Sequence, residues 1–369
     1  MGGRNKRKKT TLKLFCTFPF CTLHYLYYLC ARKKHKKLNN TMKPTIAIVA
    51  GGDSSEWQVS LRSAAGLNDF IDSNKYTKYI VTIVGKRWQV ELPDGRQLPI
   101  DKNDFSFTLD GTKITFDFAY ITIHGTPGEN GILQGYFRLM GIPFSCCDVL
   151  AAALTFDKYP CNQYLKSFGV NVAKSVWLHR GDTIKVVDIV KEIGLPCFIK
   201  PCDGGSSFGV TKAKHVSDIL PAIEKAFAEG SEVMVEALMT GTEVTCGMYR
   251  TRDKEVVFPI TEVVTNNEFF DYDAKYNGQV QEITPARIPD EWAKAIQNET
   301  RKIYTAINAK GIIRVDYIIE PSGTINLLEV NTTPGMTATS FIPQQVRAAG
   351  LDITQVMTDI IDNELNCRQ

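Results

Sequence analysis

Two β-rich runs, Ile312-Ile-Arg-Val-Asp-Tyr-Ile-Ile-Glu320 and Thr324-Ile-Asn-Leu-Leu-Glu-Val-Asn331, flank Pro321-Ser-Gly323 and lead into Thr332-Thr-Pro-Gly335. A two-residue turn at Ser322-Gly323 folds the runs into a hairpin. That turn sets Asp316 opposite Glu329 and Arg314 opposite Asn331. Residues two apart on a strand share a face, so these four side chains share one face. Ile313, Val315, Tyr317, Leu328 and Val330 are then expected to point the other way, into a core. Two carboxylates and an amide oxygen suit a hard cation such as Mg²⁺, which takes few carboxylates and completes its shell with substrate oxygens. The competing reading is a salt-bridged sheet surface with Arg314 paired to Asp316. It is the weaker one, because Asn331 runs straight into a loop whose backbone N–H groups are placed to face an anion.

Upstream, Lys200-Pro-Cys-Asp-Gly-Gly-Ser-Ser-Phe-Gly209 places a lysine at the end of a buried strand, Pro196–Lys200, ahead of a Gly/Ser loop. Glycines let a backbone approach phosphate oxygens, and Ser206 and Ser207 add hydroxyl donors. The lysine precedes the glycines, so this is not a P-loop. Beside a metal hairpin, nucleotide phosphate is its better reading. Val235-Glu236-Ala-Leu-Met-Thr-Gly-Thr-Glu243 is either a hinge holding adenine and ribose or a strand ending in a turn. Phe269-Phe-Asp-Tyr-Asp-Ala-Lys-Tyr-Asn277 is polar, aromatic and aperiodic, the character of a lid, with Lys275 and Tyr276 as closing residues. Asp157-Lys158, in a helix expected over Ala151–Leu165, reads from the residues alone as surface charge.

Residues 42–145 alternate strands (Thr45–Val49, Tyr79–Val84, Phe118–Ile123) with a helix near Val59–Ile71, the punctuation of an open α/β sheet. Ligands bind such sheets beyond the carboxyl ends of the strands. Two loops lie there, Gly51–Glu56 and His124–Gly131.

The chain has 369 residues, 44% hydrophobic and 22% charged, and can bury a core without disulfides. Its net charge of +3 conceals two unlike parts. Residues 1–41 hold eleven of the 43 basic residues and none of the 40 acidic ones, so the remainder carries about −8 and no general attraction for nucleic acid. That extension runs basic, apolar, then basic. Its apolar stretch is short for a membrane span and no small-residue cleavage site follows. It reads as an over-called start or a disordered extension, with a membrane anchor as the lesser alternative. Seven of the ten cysteines lie beyond it, none in a Cys-x-x-Cys pair, which points to reduced thiols rather than zinc.

Taken together, Gly51-Gly-x-Ser-x-Glu56, His124-Gly, Gly131-x-x-Gln-Gly135, Lys200-Pro, Gly205-Ser-Ser-x-Gly209, Ala274-Lys-Tyr276, Arg314-x-Asp316 and Leu328-Glu-Val-Asn-Thr-Thr-Pro-Gly-Met-Thr337 resemble the D-alanine–D-alanine ligases of the ATP-grasp superfamily. The resemblance runs from Met42 to the C-terminal helix. It implies an α/β chain, α+β overall: a Rossmann-like open parallel sheet at 42–145, then two α+β domains at 146–239 and 240–369 that clamp ATP. It implies a cytoplasmic homodimer with no membrane or nucleic-acid partner, working in cell-wall peptidoglycan synthesis.

The same resemblance assigns roles. Lys158 and Lys200 would bind ATP's phosphates and Glu236, Leu238 and Glu243 its adenine and ribose, with Ser207, Lys275 and Leu328 as further ATP-binding residues. Asp316, Glu329 and Asn331 would hold two Mg²⁺ or Mn²⁺ ions. Glu56, with His124 nearby, would bind the ammonium of a first D-alanine. Glu56, Ser206 and Tyr276 would form a hydrogen-bonded group tying the first domain to the phosphate loop and lid. Ser340 would hold the second D-alanine's carboxylate, and Arg314 and the Gly335 N–H would stabilise a tetrahedral oxyanion. Arg314 is thereby expected to be a donor kept free for substrate. D-lactate or D-serine as acceptor, and a non-catalytic nucleotide-binding protein, are the alternatives. Phe341 is larger than the aliphatic residue frequent at that place in the family, and its ring would narrow the acceptor subsite beside Ser340.

Overall fold

The computed structural model describes residues 43–205, 208–265 and 280–367, and the fold is that of the unit from Pro44 onward. Expectations for the extension, for Ser206 and Ser207, and for the lid with Lys275 and Tyr276 lie outside the described residues.

The first layer is β1 (Thr45–Gly51), α1 (Trp57–Phe70), β2 (Thr77–Val84), β3 (Arg87–Glu91), β4 (Gln97–Pro99), β5 (Ser106–Leu109), β6 (Thr112–Thr115), β7 (Phe118–Ile121) and α2 (Ile132–Met140). Its sheet has the order β4-β3-β2-β1-β7, and β5 pairs with β6 apart from it. The apolar run of β1 is buried on both faces: Ile46, Ile48 and Ala50 join one core cluster, Ala47 and Val49 another. The sheet is parallel only across β2-β1-β7, whereas β3 and β4 run antiparallel. The expected open parallel sheet is present at its centre, and its outer strands turn antiparallel for a covalent reason. Only Gly85 and Lys86 separate β2 from β3, too few residues for a crossover.

The middle segment comprises α3 (Val149–Phe156), α4 (Lys158–Lys166), β8 (Ser175–His179), α5 (Val186–Ile193), β9 (Cys197–Pro201), β10 (Thr211–Ala213), α6 (Ile219–Glu229) and β11 (Glu232–Ala237). Its sheet, β10-β9-β11-β8, is antiparallel. The single helix expected over Ala151–Leu165 is two. Asp157 takes an extended conformation (ψ 108°) and bridges to Asp203, which breaks the helix and starts α4 at Lys158.

The last segment is β12 (Thr242–Arg250), β13 (Glu255–Val257), β14 (Thr261–Thr265), β15 (Val280–Ile283), α7 (Asp290–Ala306), β16 (Gly311–Ile319), β17 (Ile325–Asn331), α8 (Phe341–Ala348) and α9 (Ile353–Asn366). Its sheet order is β15-β14-β12-β16-β17, with β13 on β12. Ile342, Val346, Met357 and Ile361 of α8 and α9 share a core cluster with Ile46 and Ile48 of β1. The loops after β1 and β7 are thereby packed against the end of the hairpin.

That hairpin, β16–β17, has the expected register at its functional end: Arg314 faces Asn331 and Asp316 faces Glu329. The turn differs. Gly323 N–H donates to Glu320 O and Glu320 N–H to Thr324 O, so the turn holds three residues, Pro321 to Gly323, with Gly323 at φ +85°. A register shift at Asp316/Tyr317 absorbs the extra residue, and Tyr317 pairs with Leu327. Leu327, not Leu328, is therefore the residue in the core. Simple alternation misplaces Leu328 because it does not allow for a bulge.

Candidate active site

A cleft of about 620 Å³ opens where the three segments meet. It is lined from the first segment by Glu56 and His124, from the middle segment by Gly204 and Gly205, and from the last segment by Arg314, Glu329, Asn331, Gly335, Ser340 and Phe341. Eight residues singled out from the sequence, Glu56, His124, Arg314, Glu329, Asn331, Gly335, Ser340 and Phe341, thus line one space. Sequence separations of more than 250 residues are closed by the shared core of β1 with α8 and α9.

Glu56 sits at the N-terminal end of α1, directly after the β1 loop. It abuts the loop after β9: a Cβ added to Gly205 would fall 2.4 Å from Glu56 Oε2, so a larger residue there would displace the Glu56 carboxylate. His124 follows β7 and is buried. Burial lowers its pKa, the Glu56 carboxylate raises it, and Arg314 lowers it again. Its Nε2 lies 3.5 Å from Ser63 Oγ, and the ring also hydrogen-bonds the Thr333 backbone.

Lys158 opens α4 and joins two segments. Its Nζ donates to Gly204 O at 2.6 Å and lies 3.0 Å from Glu329 Oε1. Burial would lower its pKa, but the Glu329 carboxylate holds it above the ordinary lysine value. Lys200 lies at the end of β9 and is almost fully buried, with Nζ 2.7 Å from Glu236 Oε2. The structure thus pairs a residue assigned to phosphate with one assigned to adenine. Glu236 Oε1 is buried with no hydrogen-bond partner. Leu238 follows β11, and Glu243 lies in β12 opposite Ile318 of the hairpin.

Arg314 is not a free donor here. Its Nε and Nη2 donate to Asp316 Oδ1 and Oδ2 at 2.9 and 2.7 Å, a two-pronged ion pair. That is the salt bridge the sequence reading set aside, and the expectation of an unengaged guanidinium is corrected. A desolvated guanidinium two residues from a carboxylate on the same strand face has no closer counter-charge. Nη1 takes no part in the pair, and the guanidinium lies 5.2 Å from the centre of the Phe341 ring. Asn331 Nδ2 donates to Asp316 Oδ2 at 3.0 Å, which leaves its amide oxygen to the other side. Gly335 lies beside Ser340, since a Cβ on it would be 3.0 Å from Ser340 Oγ. Ser340 Oγ accepts from Thr337 N–H at 3.1 Å, and Ser340 is the residue from which α8 starts, with no hydrogen bond from its side chain to the helix.

Glu129 escaped the sequence reading. It lies in the flagged loop His124–Gly131, but nothing local separates it from a surface carboxylate. In the cleft its pKa is pushed up to about 7, first by burial and then by the Glu56 carboxylate. Cys202, by contrast, is fully buried, and burial pushes its thiol up to about 12, so it is inert.

Two family models match the chain, D-ala D-ala ligase N-terminus over residues 45–147 and D-ala D-ala ligase C-terminus over residues 164–362. The chain belongs to the D-alanine–D-alanine ligase family. Its fold is the ATP-grasp fold of that family, and it is a ligase. The D-alanine–D-alanine ligase of Bacteroides fragilis (strain YCH46) is 66% identical over 323 residues, 88% of this chain and 100% of that one. Among solved structures, the VanG D-Ala:D-Ser ligase from Enterococcus faecalis has a TM-score of 0.77 at 33% identity, covering 88% of this chain and 100% of that one. The D-alanine–D-alanine ligase from Bacillus anthracis complexed with ATP has a TM-score of 0.71 at 26% identity, covering 88% and 98%. No helix among the described residues is long and apolar enough to cross a membrane.

Proposed function

We propose that the protein joins two D-alanines into D-alanyl-D-alanine at the expense of ATP, for peptidoglycan synthesis. The observation that carries this is the single cleft holding Glu56 and His124 on one wall and Arg314, Glu329, Gly335 and Ser340 on the other. The carboxylate of the first D-alanine is a poor electrophile until it takes the γ-phosphoryl group. Its attack gives an acyl phosphate and ADP. The amine of the second D-alanine then attacks the acyl carbon, and the tetrahedral intermediate collapses to dipeptide and phosphate.

Each wall has its part in that sequence. Glu56, beside His124, takes the first ammonium. Lys158 and Lys200 lie against the phosphate loop and hold the ATP phosphates, together with Ser207 and Lys275. Glu236, Leu238, Glu243 and Leu328 surround adenine and ribose. Ser340, at the N-terminus of α8, holds the second carboxylate, a position where helix N–H groups favour an anion. Arg314 and the Gly335 N–H take the oxyanion, a role that requires Arg314 to turn a donor from Asp316 to substrate. Ser206 and Tyr276 complete the group around Glu56 as the lid closes and excludes water from the acyl phosphate.

The hairpin donors fit divalent cations. Two carboxylates face each other across β16 and β17, and an amide oxygen lies beside them. In this structure Arg314 and Lys158 supply the positive charge those carboxylates require. Asp316, Glu329 and Asn331 would hold two Mg²⁺ or Mn²⁺ ions, which neutralise phosphate charge during transfer.

The reading includes domains at 42–145, 146–239 and 240–369, and a homodimer. In support of the latter, α2 exposes Ile132 and Leu139, seven residues apart and so on one helix face. D-serine or D-lactate is the second reading of the acceptor, because the Phe341 ring follows Ser340 in the cleft lining and lies against Arg314. The deciding experiment incubates the protein with ATP, Mg²⁺ and D-alanine and assays phosphate and dipeptide. Dipeptide supports the reading. Product formed only when D-serine or D-lactate is added defeats it.

A further inference from the structure

Glu129 ties together two segments that the ligation reaction requires to stay in register. Its Oε2 accepts from Gly125 N–H at 2.7 Å, within the loop after β7. Its Oε1 accepts from Thr333 Oγ1, in the loop after β17. His124, one residue before Gly125, hydrogen-bonds the Thr333 backbone. Ser63 of α1 lies 3.5 Å from the His124 ring and accepts from Met336 N–H at 3.2 Å. The loop Asn331–Met336 is therefore held from the first segment at Thr333 twice and at Met336 once.

The two loops carry the two ends of the proposed reaction. One holds His124 beside Glu56, and the other runs from Asn331 to Gly335. We propose that Glu129 is a positioning residue, a two-ended latch that holds the donor-substrate wall at a fixed distance from the wall that receives phosphate and oxyanion. The inference rests on the ligation reading. Glu129 touches no reacting atom in this account, and its value lies in two simultaneous hydrogen bonds to partners 208 residues apart in the chain, Gly125 and Thr333. Such a latch governs orientation, and a displacement of about 1 Å costs on the order of 10²-fold in rate.

Glutamine can keep both ends: its amide oxygen accepts from Gly125 N–H, and its NH₂ donates to Thr333 Oγ1. Alanine keeps neither, and Thr333→Val removes one end only. The test measures kcat, KM for ATP, phosphate released per dipeptide formed, and Tm for the wild type, Glu129→Gln, Glu129→Ala, Thr333→Val and Glu129→Ala/Thr333→Val, all in the full chain. The latch predicts kcat falling about 100-fold in Glu129→Ala and about tenfold in Thr333→Val, with Glu129→Gln within about tenfold of the wild type. KM for ATP changes less than about threefold, phosphate released per dipeptide rises as acyl phosphate is lost to water, and the double variant is no worse than Glu129→Ala.

Three results overturn it: Glu129→Ala within about threefold of wild-type kcat, Glu129→Gln as impaired as Glu129→Ala, or additive losses in the double variant. A Glu129→Ala variant that loses kcat only in proportion to a lowered folded fraction, with unchanged phosphate-to-dipeptide ratio, also overturns it, because the residue is then structural. Failure of the latch appears in the variants alone. A wild type that forms no dipeptide ends the ligation reading, and the latch with it.

Discussion

Replacing Lys200 by methionine separates two functions that the structure places in one side chain. The Lys200–Glu236 pair is buried, with side-chain exposures of 9% and 2% and an N–O distance of 2.7 Å. Methionine keeps most of the length and removes the charge. The Glu236 carboxylate then loses the Lys200 hydrogen bond at Oε2, while Oε1 already has no hydrogen-bond partner. Breaking a buried pair from one side costs about 3–5 kcal/mol, because the remaining charge is uncompensated. At roughly 2 °C per kcal/mol for a chain of this size, Tm falls by about 6–10 °C. Adding Glu236→Gln removes the stranded charge and returns most of that loss. Activity behaves differently. If Lys200 binds ATP phosphate, Lys200→Met and Lys200→Met/Glu236→Gln both lose roughly 10²-fold or more in kcat/KM for ATP. Differential scanning calorimetry and the dipeptide assay on the same preparations check both limbs. A single variant with near wild-type Tm, or a double variant no more stable than the single, refutes the buried-charge argument. A double variant with restored ATP-dependent turnover refutes the phosphate role.

Glu329→Gln is expected to lower kcat by roughly 10²–10³-fold, since it removes a carboxylate that faces Asp316 and pairs with Lys158; near-normal turnover across a Mg²⁺ titration would refute the metal-site assignment. Asp157 has its pKa pushed from 3.8 to about 6, by burial first and then by the Glu232 and Asp203 carboxylates. The folded state therefore holds this proton more tightly than the unfolded chain, and stability falls as pH rises from about 4 to 6. Discounted for a partly exposed group, the loss is about 1 kcal/mol. Asp157→Asn should accordingly be more stable than the wild type at pH 7.5 and match it near pH 4, as urea titrations at the two pH values would reveal. Among the described cysteines, exposed Cys367 should react with iodoacetamide in the native protein while buried Cys202 does not; mass spectrometry of modified peptides decides this, and early labelling of Cys202 counts against its burial.

Much of the architecture is legible in local pattern. The apolar run Thr45–Val49 declares a strand, and β1, which continues to Gly51, is buried almost throughout. The alternation in Ile312–Ile319 places Arg314 and Asp316 on one face, and β16 is buried at every second position between them. These features are readable because strand periodicity is a property of a few adjacent residues. Where a local irregularity enters, the pattern fails. The bulge that compensates the three-residue turn moved Leu327 into the core in place of Leu328. The extended Asp157 split a helix that periodicity ran straight through.

Sequence by itself therefore determined the family and the order in which Arg314, Asp316, Glu329 and Asn331 face one another across the hairpin. Each of these depends on residue types at short spacing or on motifs in chain order. Tertiary structure alone decided who partners whom. It brought Lys158, which reads locally as surface charge, to Glu329, tied Arg314 to Asp316, buried Lys200 against Glu236, and set Glu129 between Gly125 and Thr333. No neighbouring residue signals these contacts, because each is made by packing segments from distant parts of the chain. The charge state and availability of every group in the cleft follow from that packing rather than from the residue's own neighbours.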